Sequence, residues 1–160
     1  MKKDVQPVPS GFHTITPHLI VKDAANAIEF YKKAFGAEEL GRMPAPGSNK
    51  IIHALLRIGD SMIMLVDEFP ELKCFGPNHF NGTSVNIHLF VNDADGMFNQ
   101  AVNAGAKAAM PMQDAFWGSR YGKVEDPFGH VWEIATQIED VSPAEMKKRS
   151  DEYCASTSKA

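Results

Sequence analysis

Apolar and polar residues change rhythm along this chain in a fixed order, and the order is used twice. Between Thr14 and Val21 they alternate with period two, the mark of a strand with one buried face. From Ala24 the spacing lengthens. Ala24, Ile28, Tyr31 and Phe35 fall on one stripe at helical spacing, with Asp23 placed to cap the N-terminus and Gly36 to end the helix in a left-handed conformation. Three short β-branched or apolar runs follow, Ala37 to Pro44, Lys50 to Ile58 and Ser61 to Val66, each bounded by turn residues. Asp67 to Thr83 holds prolines, glycines and asparagines without periodicity, as a connector does. The order then restarts. Ser84 to Val91 is a strand, and a helix capped by Asp93 or Asp95 runs through Met97, Phe98, Ala101 and Val102 to Gly105. Ala106 to Met112, Tyr121 to Glu125 and His130 to Thr136 are the remaining strands. Ser142-Pro143-Ala144-Glu145 supplies an N-cap, a proline at N1 and a glutamate at N3 for a last helix through Tyr153.

The wording repeats along with the rhythm. Pro17-His18-Leu19-Ile20-Val21-Lys22-Asp23-Ala24 returns as Ile87-His88-Leu89-Phe90-Val91-Asn92-Asp93-Ala94, and Gly36 and Gly59 have counterparts in Gly105 and Gly129. Two copies of one βαβββ unit, each too small to bury its own core, predict an α+β fold of tandem modules. One helix covers one face of each sheet. The helices then lie outside, and the bare faces of two curved mixed sheets form a cup with room for a shared ligand. The expected organisation is an extended lead-in over 1–13, modules over 14–66 and 84–139, a connector over 67–83 between them, and a C-terminal helix and tail over 140–160.

Composition narrows the class without naming a reaction. Of 160 residues, 44% are hydrophobic and 22% charged, which is ordinary for a globular protein and far from the disordered range. A net charge of −4 with dispersed Lys and Arg offers no attraction for nucleic acid or an anionic membrane. Apolar residues nowhere run long enough to cross a bilayer, and the first residues lack the apolar stretch of a signal peptide. Cys74 and Cys154 make no CxxC pair, so both thiols are expected free, as in a cytoplasmic protein. No phosphate loop, cofactor fingerprint or nucleophile motif occurs.

Strand alternation assigns faces, because residues i and i+2 share a side. Pro17, Leu19 and Val21 belong with the helix, leaving Thr16, His18 and Ile20 on the bare face; likewise Ile87, Leu89 and Val91 leave Asn86, His88 and Phe90. Ile52, Ala54, Leu56 and Ile58 form a buried row opposite His53, Leu55 and Arg57. On the last strand Glu133 stands among apolar neighbours, and a carboxylate there needs a partner or a task. Phe90, Phe116, Trp117 and Tyr121 could line a cavity beside His53 and stack on a flat ligand, Phe116 and Trp117 from an apparent loop.

Three motifs carry a family resemblance: Ala27-Ile28-Glu29-Phe30-Tyr31-Lys32-Lys33-Ala34-Phe35-Gly36-Ala37, Arg57-Ile58-Gly59-Asp60-Ser61, and Gly122-Lys123-Val124-Glu125-Asp126-Pro127-Phe128-Gly129-His130. Glu139-Asp140-Val141-Ser142-Pro143 follows the last strand. On these the chain resembles the vicinal oxygen chelate superfamily, which includes glyoxalase I, extradiol dioxygenases and the fosfomycin- and bleomycin-resistance proteins, and within it the PhnB-like branch. The resemblance implies the glyoxalase/bleomycin-resistance fold, a small-molecule partner and a homodimer whose cup is completed within one chain or across two.

The resemblance also brings in a metal. His18, His88 and Glu133 would converge from three strands as ligands for a divalent ion such as zinc, nickel, manganese or iron, with Glu133 as ligand or general base. Counted residue by residue, the family's ligand positions fall on Thr16 and Asn86 rather than His18 and His88, and on Ile63 or Met64 opposite Glu133, so Glu133 alone matches. A two-residue shift moves a side chain roughly 6 to 7 Å along a strand. Two functions therefore stand side by side. One is a metal-dependent lyase, isomerase or dioxygenase. The other is a non-catalytic binder of small, antibiotic-type molecules that needs no metal, in which His18 and His88 are hydrogen-bonded polar residues.

Overall fold

The computed structural model of the chain describes residues 5–157. The chain divides between Thr83 and Ser84 into two compact units, each described by itself. The first holds β1 (His18–Val21), α1 (Ala24–Phe35), β2 (Glu38–Pro44), β3 (Ile51–Ile58) and β4 (Ser61–Asp67). The second holds β5 (Asn86–Phe90), α2 (Ala94–Ala104), β6 (Lys107–Ala115), β7 (Ser119–Glu125), β8 (Val131–Gln137) and α3 (Pro143–Thr157).

The two sheets have the same topology, β1-β4-β3-β2 and β5-β8-β7-β6. In each, the first strand pairs parallel to the last and the other pairs are antiparallel. The helix after the first strand provides the crossover that a parallel pair needs. The result is an α+β fold of two four-stranded mixed sheets and three helices.

The helix faces follow the apolar stripes. In the first unit Ala24, Ala27, Ile28, Tyr31, Ala34 and Phe35 of α1 are buried, as are Leu19, Val21, Ala54, Leu56 and Leu65 of the sheet. In the second, α2 packs on β7 and β8, burying Phe98 and Ala101 together with Val124, Trp132 and Ile134. Val102, placed on that stripe from sequence, is exposed at its edge.

α1 and α2 each begin on a side chain from their own sheet. The Oδ1 of buried Asp67 accepts from Asp23 N (2.9 Å) and Ala24 N (3.0 Å), while its Oδ2 accepts from Ile51 N (2.7 Å). In the second unit Thr136 Oγ1 accepts from Ala94 N (2.9 Å) and donates to Val91 O (2.7 Å). These groups satisfy N–H donors that a helix start leaves without partners. Asp23 and Asp93 add the expected side-chain caps, accepting from Asn26 N and Gly96 N.

Several boundaries differ from the sequence reading. β1 starts at His18 rather than Thr14, because Pro17 has no N–H to pair and contributes only its carbonyl, to Met64 N (2.9 Å). Ile52 is exposed and Ile51 buried, at the point where the β2–β3 register shifts. The connector contains two short 3-10 turns, Pro70–Leu72 and Pro77–Phe80. β6 runs on to Ala115 through two register shifts. As a result Phe116-Trp117-Gly118 is the tight turn of the β6–β7 hairpin instead of an open loop, closed by Gly118 N donating to Ala115 O (3.0 Å). Among the described residues no helix is long and apolar enough to cross a membrane.

Candidate functional site

The second sheet carries the chemistry. Because Val124, Trp132 and Ile134 lie under α2, their alternates face the side opposite α2. Pairing aligns those alternates in rows across the strands. His88 of β5 lies beside Glu133 of β8, and Lys123 of β7 lies on the other side. The neighbouring row holds Phe90, Ala135, Tyr121 and Gln113.

Glu133 is the hub of this face, with a side chain 18% exposed. Its Oε1 accepts from Asn86 Nδ2 (2.9 Å), from the Tyr121 hydroxyl (2.7 Å) and from the Lys123 ammonium (2.9 Å); its Oε2 meets His88 Nδ1 (2.9 Å). Burial pushes the carboxyl pKa up. The hydrogen bonds from His88, Lys123, Tyr121 and Asn86 together outweigh that and hold it down at about 2. The same contact raises the Lys123 ammonium pKa, against a smaller opposing effect of burial. Tyr121 is raised as well, first by burial and then by its bond to the carboxylate.

This ionisation state fixes a tautomer. An ionised carboxylate only accepts, so Nδ1 of His88 carries the proton it donates to Glu133. In the neutral imidazole, Nε2 is then an acceptor.

Beside this row lies a cavity of about 410 Å³, lined chiefly by Met110, Phe116, Trp117, Tyr121, Lys123 and Tyr153. Its aromatic rings contact one another: Phe116 meets Trp117 at 5.0 Å and Tyr153 at 5.4 Å, and Trp117 meets Tyr121 at 5.2 Å. Tyr121 continues the series, stacked on His88 at 6.1 Å, and His88 lies 4.4 Å from Phe90, which is 72% exposed. The hairpin turn holds this wall in place. Gly118 has φ +87°, and its carbonyl accepts from Ile138 N (2.9 Å) and Glu139 N (3.1 Å). α3 brings Tyr153 to the cavity and is tied down by Arg149, which pairs with Glu139 (2.7 Å) and Glu145 (2.9 Å).

The structure therefore gathers Phe116, Trp117 and Tyr121 in one cavity and His88 and Glu133 in one hydrogen bond. His18 belongs to the first unit, where its ring meets His53 at 5.9 Å. Partial desolvation, followed by the charge of His53, lowers the His18 pKa. Register sets His18 beside Met64 as it sets His88 beside Glu133, so the first sheet has a thioether where the second has a carboxylate. The sequence reading missed Lys123 and Tyr153. Lys123 was within reach, since it lies two residues from Tyr121 on the same strand face. Tyr153 is carried in by a helix, and no strand pattern announces it.

Comparison with known proteins follows from this geometry. The family model described as Glyoxalase/Bleomycin resistance protein/Dioxygenase superfamily matches residues 11–134. The chain belongs to that superfamily. It is 47% identical over 136 residues to the protein Rv0887c of Mycobacterium tuberculosis, a match covering 83% of this chain and 79% of the relative. Among solved structures, TioX from Micromonospora is 30% identical with a TM-score of 0.63, the match covering 79% of this chain and 99% of that one. A PhnB protein from Bacillus cereus, 16% identical with a TM-score of 0.59, shares the fold, with 78% and 99% covered.

A metal expected from the superfamily can be tested against the residues present. Among the described residues no group of three or more His, Cys, Asp and Glu side chains is placed to hold an ion. The two counted ligand positions hold Asn86, whose amide donates to Glu133, and Thr16, which lies outside β1 and donates to His13 O (3.4 Å). The carboxylate itself is already neutralised by an ammonium. A divalent cation would have to displace Lys123 and would find only His88 as a second ligand in that row. The donor set of the second unit does not fit a metal. Glu133 there accepts from four neighbouring side chains.

Proposed function

We propose that this superfamily member binds a small, flat molecule in the aromatic cavity of its second module, with its polar end toward Lys123. The observation that carries this reading is the cavity itself, about 410 Å³ walled by four aromatic side chains, with the Lys123 ammonium, the Gln113 amide and the Asp114 carboxylate also on its lining. Aromatic walls offer a large contact area to a planar ring at little conformational cost, and a few fixed polar groups then orient it. Trp117 is 38% exposed in a turn, the kind of position where a ring meets a ligand rather than a core. The bleomycin-resistance proteins that the sequence resembles are non-catalytic binders in the same sense.

The test uses the intrinsic fluorescence of Trp117, with Trp132 buried under α2 as a silent reference. Aromatic carboxylates and planar antibiotics are titrated while fluorescence and melting temperature are followed. Saturable quenching is expected, with a stabilisation of about 2.7 kcal/mol at a hundred-fold excess over Kd. Trp117→Ala should remove both signals without unfolding the protein. If compounds that raise the melting temperature do so equally in Trp117→Ala, the ligand lies elsewhere and the reading fails.

A further inference from the structure

α1 and α2 each bury an apolar stripe, whereas no residue of α3 between Pro143 and Ser156 is buried. α3 keeps its shape by its own means. Ser142 caps it, its Oγ accepting from Glu145 N (3.3 Å) and its carbonyl from Met146 N (2.8 Å). Lys147 pairs with Asp151 (2.7 Å) and Arg149 with Glu145 (2.9 Å), each four residues apart along the helix. A helix capped and paired within itself can move as one piece. Residues 140–142, followed by Pro143, link it to the strand before it. A bidentate bond spans that link: Arg149 Nη1 and Nη2 donate to Oε2 and Oε1 of Glu139 at 2.7 and 2.8 Å. Glu139 is itself fixed to the hairpin turn through its backbone N–H, which donates to Gly118 O (3.1 Å). Glu145, Arg149 and Tyr153 follow at four-residue intervals and so share one helix face. At the far end of that face Tyr153 meets Phe116 and lines the aromatic cavity.

We propose that α3 is a hinged lid on the aromatic cavity, turning about residues 140–142 and latched shut by Arg149 on Glu139. Its role in gating a ligand rests on that cavity being the ligand site; the movement of the helix does not. Elements that open for ligands are drawn from the least buried parts of a fold, and α3 fits that description. When it is closed, the half-exposed Tyr153 completes the wall beside Phe116. When it is open, the cavity loses that wall and a flat molecule can pass. The strength of the latch suits this use. Both partners are partly exposed, and a surface pair of good bidentate geometry shifts an equilibrium by up to about five-fold. Such a bond can be broken and remade at every binding event. The second bond of Arg149 has a different role, because Glu145 lies on α3 and travels with it.

Cys154 is exposed beside Tyr153 and takes a bimane label, made unique in the full chain by Cys74→Ser. Tryptophan quenches bimane on close approach, so Trp117 across the cavity reports closure, with Trp117→Phe as the unquenched reference. Quenching should fall in Glu139→Gln and persist in Glu145→Gln, although each variant removes one partner of Arg149. Far-ultraviolet circular dichroism should stay the same in both, since the helix moves without melting. Salt at about 1 M should reproduce the loss in the parent protein and add little in Glu139→Gln. Absence of Trp117-dependent quenching, equal quenching in the two glutamine variants, or a loss of quenching accompanied by loss of helical signal overturns the proposal. Gating is then read with 2-naphthoate, by stopped-flow fluorescence of Trp117 in unlabelled protein. Its dissociation should be about two- to five-fold faster in Glu139→Gln than in wild type. An equal dissociation rate in a variant whose bimane is unquenched shows a helix that moves without gating, and overturns the lid. If 2-naphthoate leaves Trp117 unquenched in every protein, the binding reading fails, and the bimane signals still decide whether α3 is latched.

Discussion

Replacing Glu133 by Gln tests whether the network around this carboxylate holds it ionised. The carboxyl pKa is lowered from 4.5 to about 2, the hydrogen bonds from His88, Lys123, Tyr121 and Asn86 overcoming a burial effect that by itself would raise it. At about 1.36 kcal/mol per pKa unit, the full linkage would be roughly 3.4 kcal/mol. The side chain keeps 18% exposure, and its donors would find water if it were lost, so screening reduces the expected value. About 1 to 2 kcal/mol is a reasonable size for a partly exposed, multiply bonded ion pair. The sign follows from the direction of the shift. A depressed carboxyl pKa stabilises the fold above the unfolded value near 4.5, and that stability drains away as pH falls toward 2.

The assay is urea denaturation of wild type and Glu133→Gln at pH 7, 5 and 3, read by circular dichroism. The variant has no carboxyl to titrate, so the difference between the two curves isolates this group. It should be near its full size at pH 7 and 5, and about half or more should be gone at pH 3. Repeating the series in a His88→Gln background shows whether the difference persists without the imidazole partner. An equal difference at pH 7 and pH 3 would refute the reasoning, since it would mean that Glu133 stabilises the fold by shape alone.

Other consequences can be checked at the same bench. Asp126 is 3% exposed and accepts from Trp132 Nε1 (2.8 Å), Phe128 N (2.9 Å) and His130 N (3.0 Å), so Asp126→Ala removes the acceptor of three hydrogen bonds. It should cost about 3 to 5 kcal/mol in urea denaturation, with loss of the near-ultraviolet signal of Trp132. A Cβ on Gly118 would collide with Glu139 O, so Gly118→Ala should distort the hairpin turn and weaken ligand quenching of Trp117 as well as lower the melting temperature. Tyr153 is half exposed, so Tyr153→Ala should weaken aromatic ligands several-fold while changing stability by less than about 0.5 kcal/mol. Untagged protein dialysed against zinc or nickel should retain no stoichiometric ion; retention that Glu133→Gln abolishes would show that the carboxylate is a ligand after all.

Much of this fold was legible because one period of alternation implies one buried face. Leu19 with Val21, Ala54 with Leu56, and Trp132 with Ile134 are buried as the strand pattern requires, and α1 buries the stripe of Ala24, Ile28, Tyr31 and Phe35. Errors gathered where backbone chemistry overrides pattern. Pro17 denies β1 its expected start, and the register shifts in β6 carry that strand to Ala115 through a stretch with no alternation to signal it. The site was half legible for a different reason. Alternation can assign a side chain to a face, but not to a neighbour. Glu133 was identified as a carboxylate in need of a partner, while the partner that decides its chemistry, Lys123, is set beside it by strand pairing.

The duplicated unit sharpens the point. Both sheets have a histidine two residues into the shared strand motif, and the pattern treats His18 and His88 as equals. Pairing makes them different. His88 stands against Glu133 and acquires a fixed tautomer; His18 stands against Met64, with His53 as its ring neighbour, and acquires none. A thioether can neither accept a strong hydrogen bond nor stabilise an imidazolium, so the first module lacks the acceptor–cation pair even though its strands align in the same way. Lys123 likewise has Leu55 as its counterpart one strand over, since Leu55 pairs with Met64 as Lys123 pairs with Glu133. Glu for Met and Lys for Leu therefore account for the ion pair that the second face has and the first lacks. Writing both into the first module, as Met64→Glu with Leu55→Lys, should place a second ion pair beside His18, whereas Met64→Glu alone should destabilise that sheet by leaving a carboxylate without its cation.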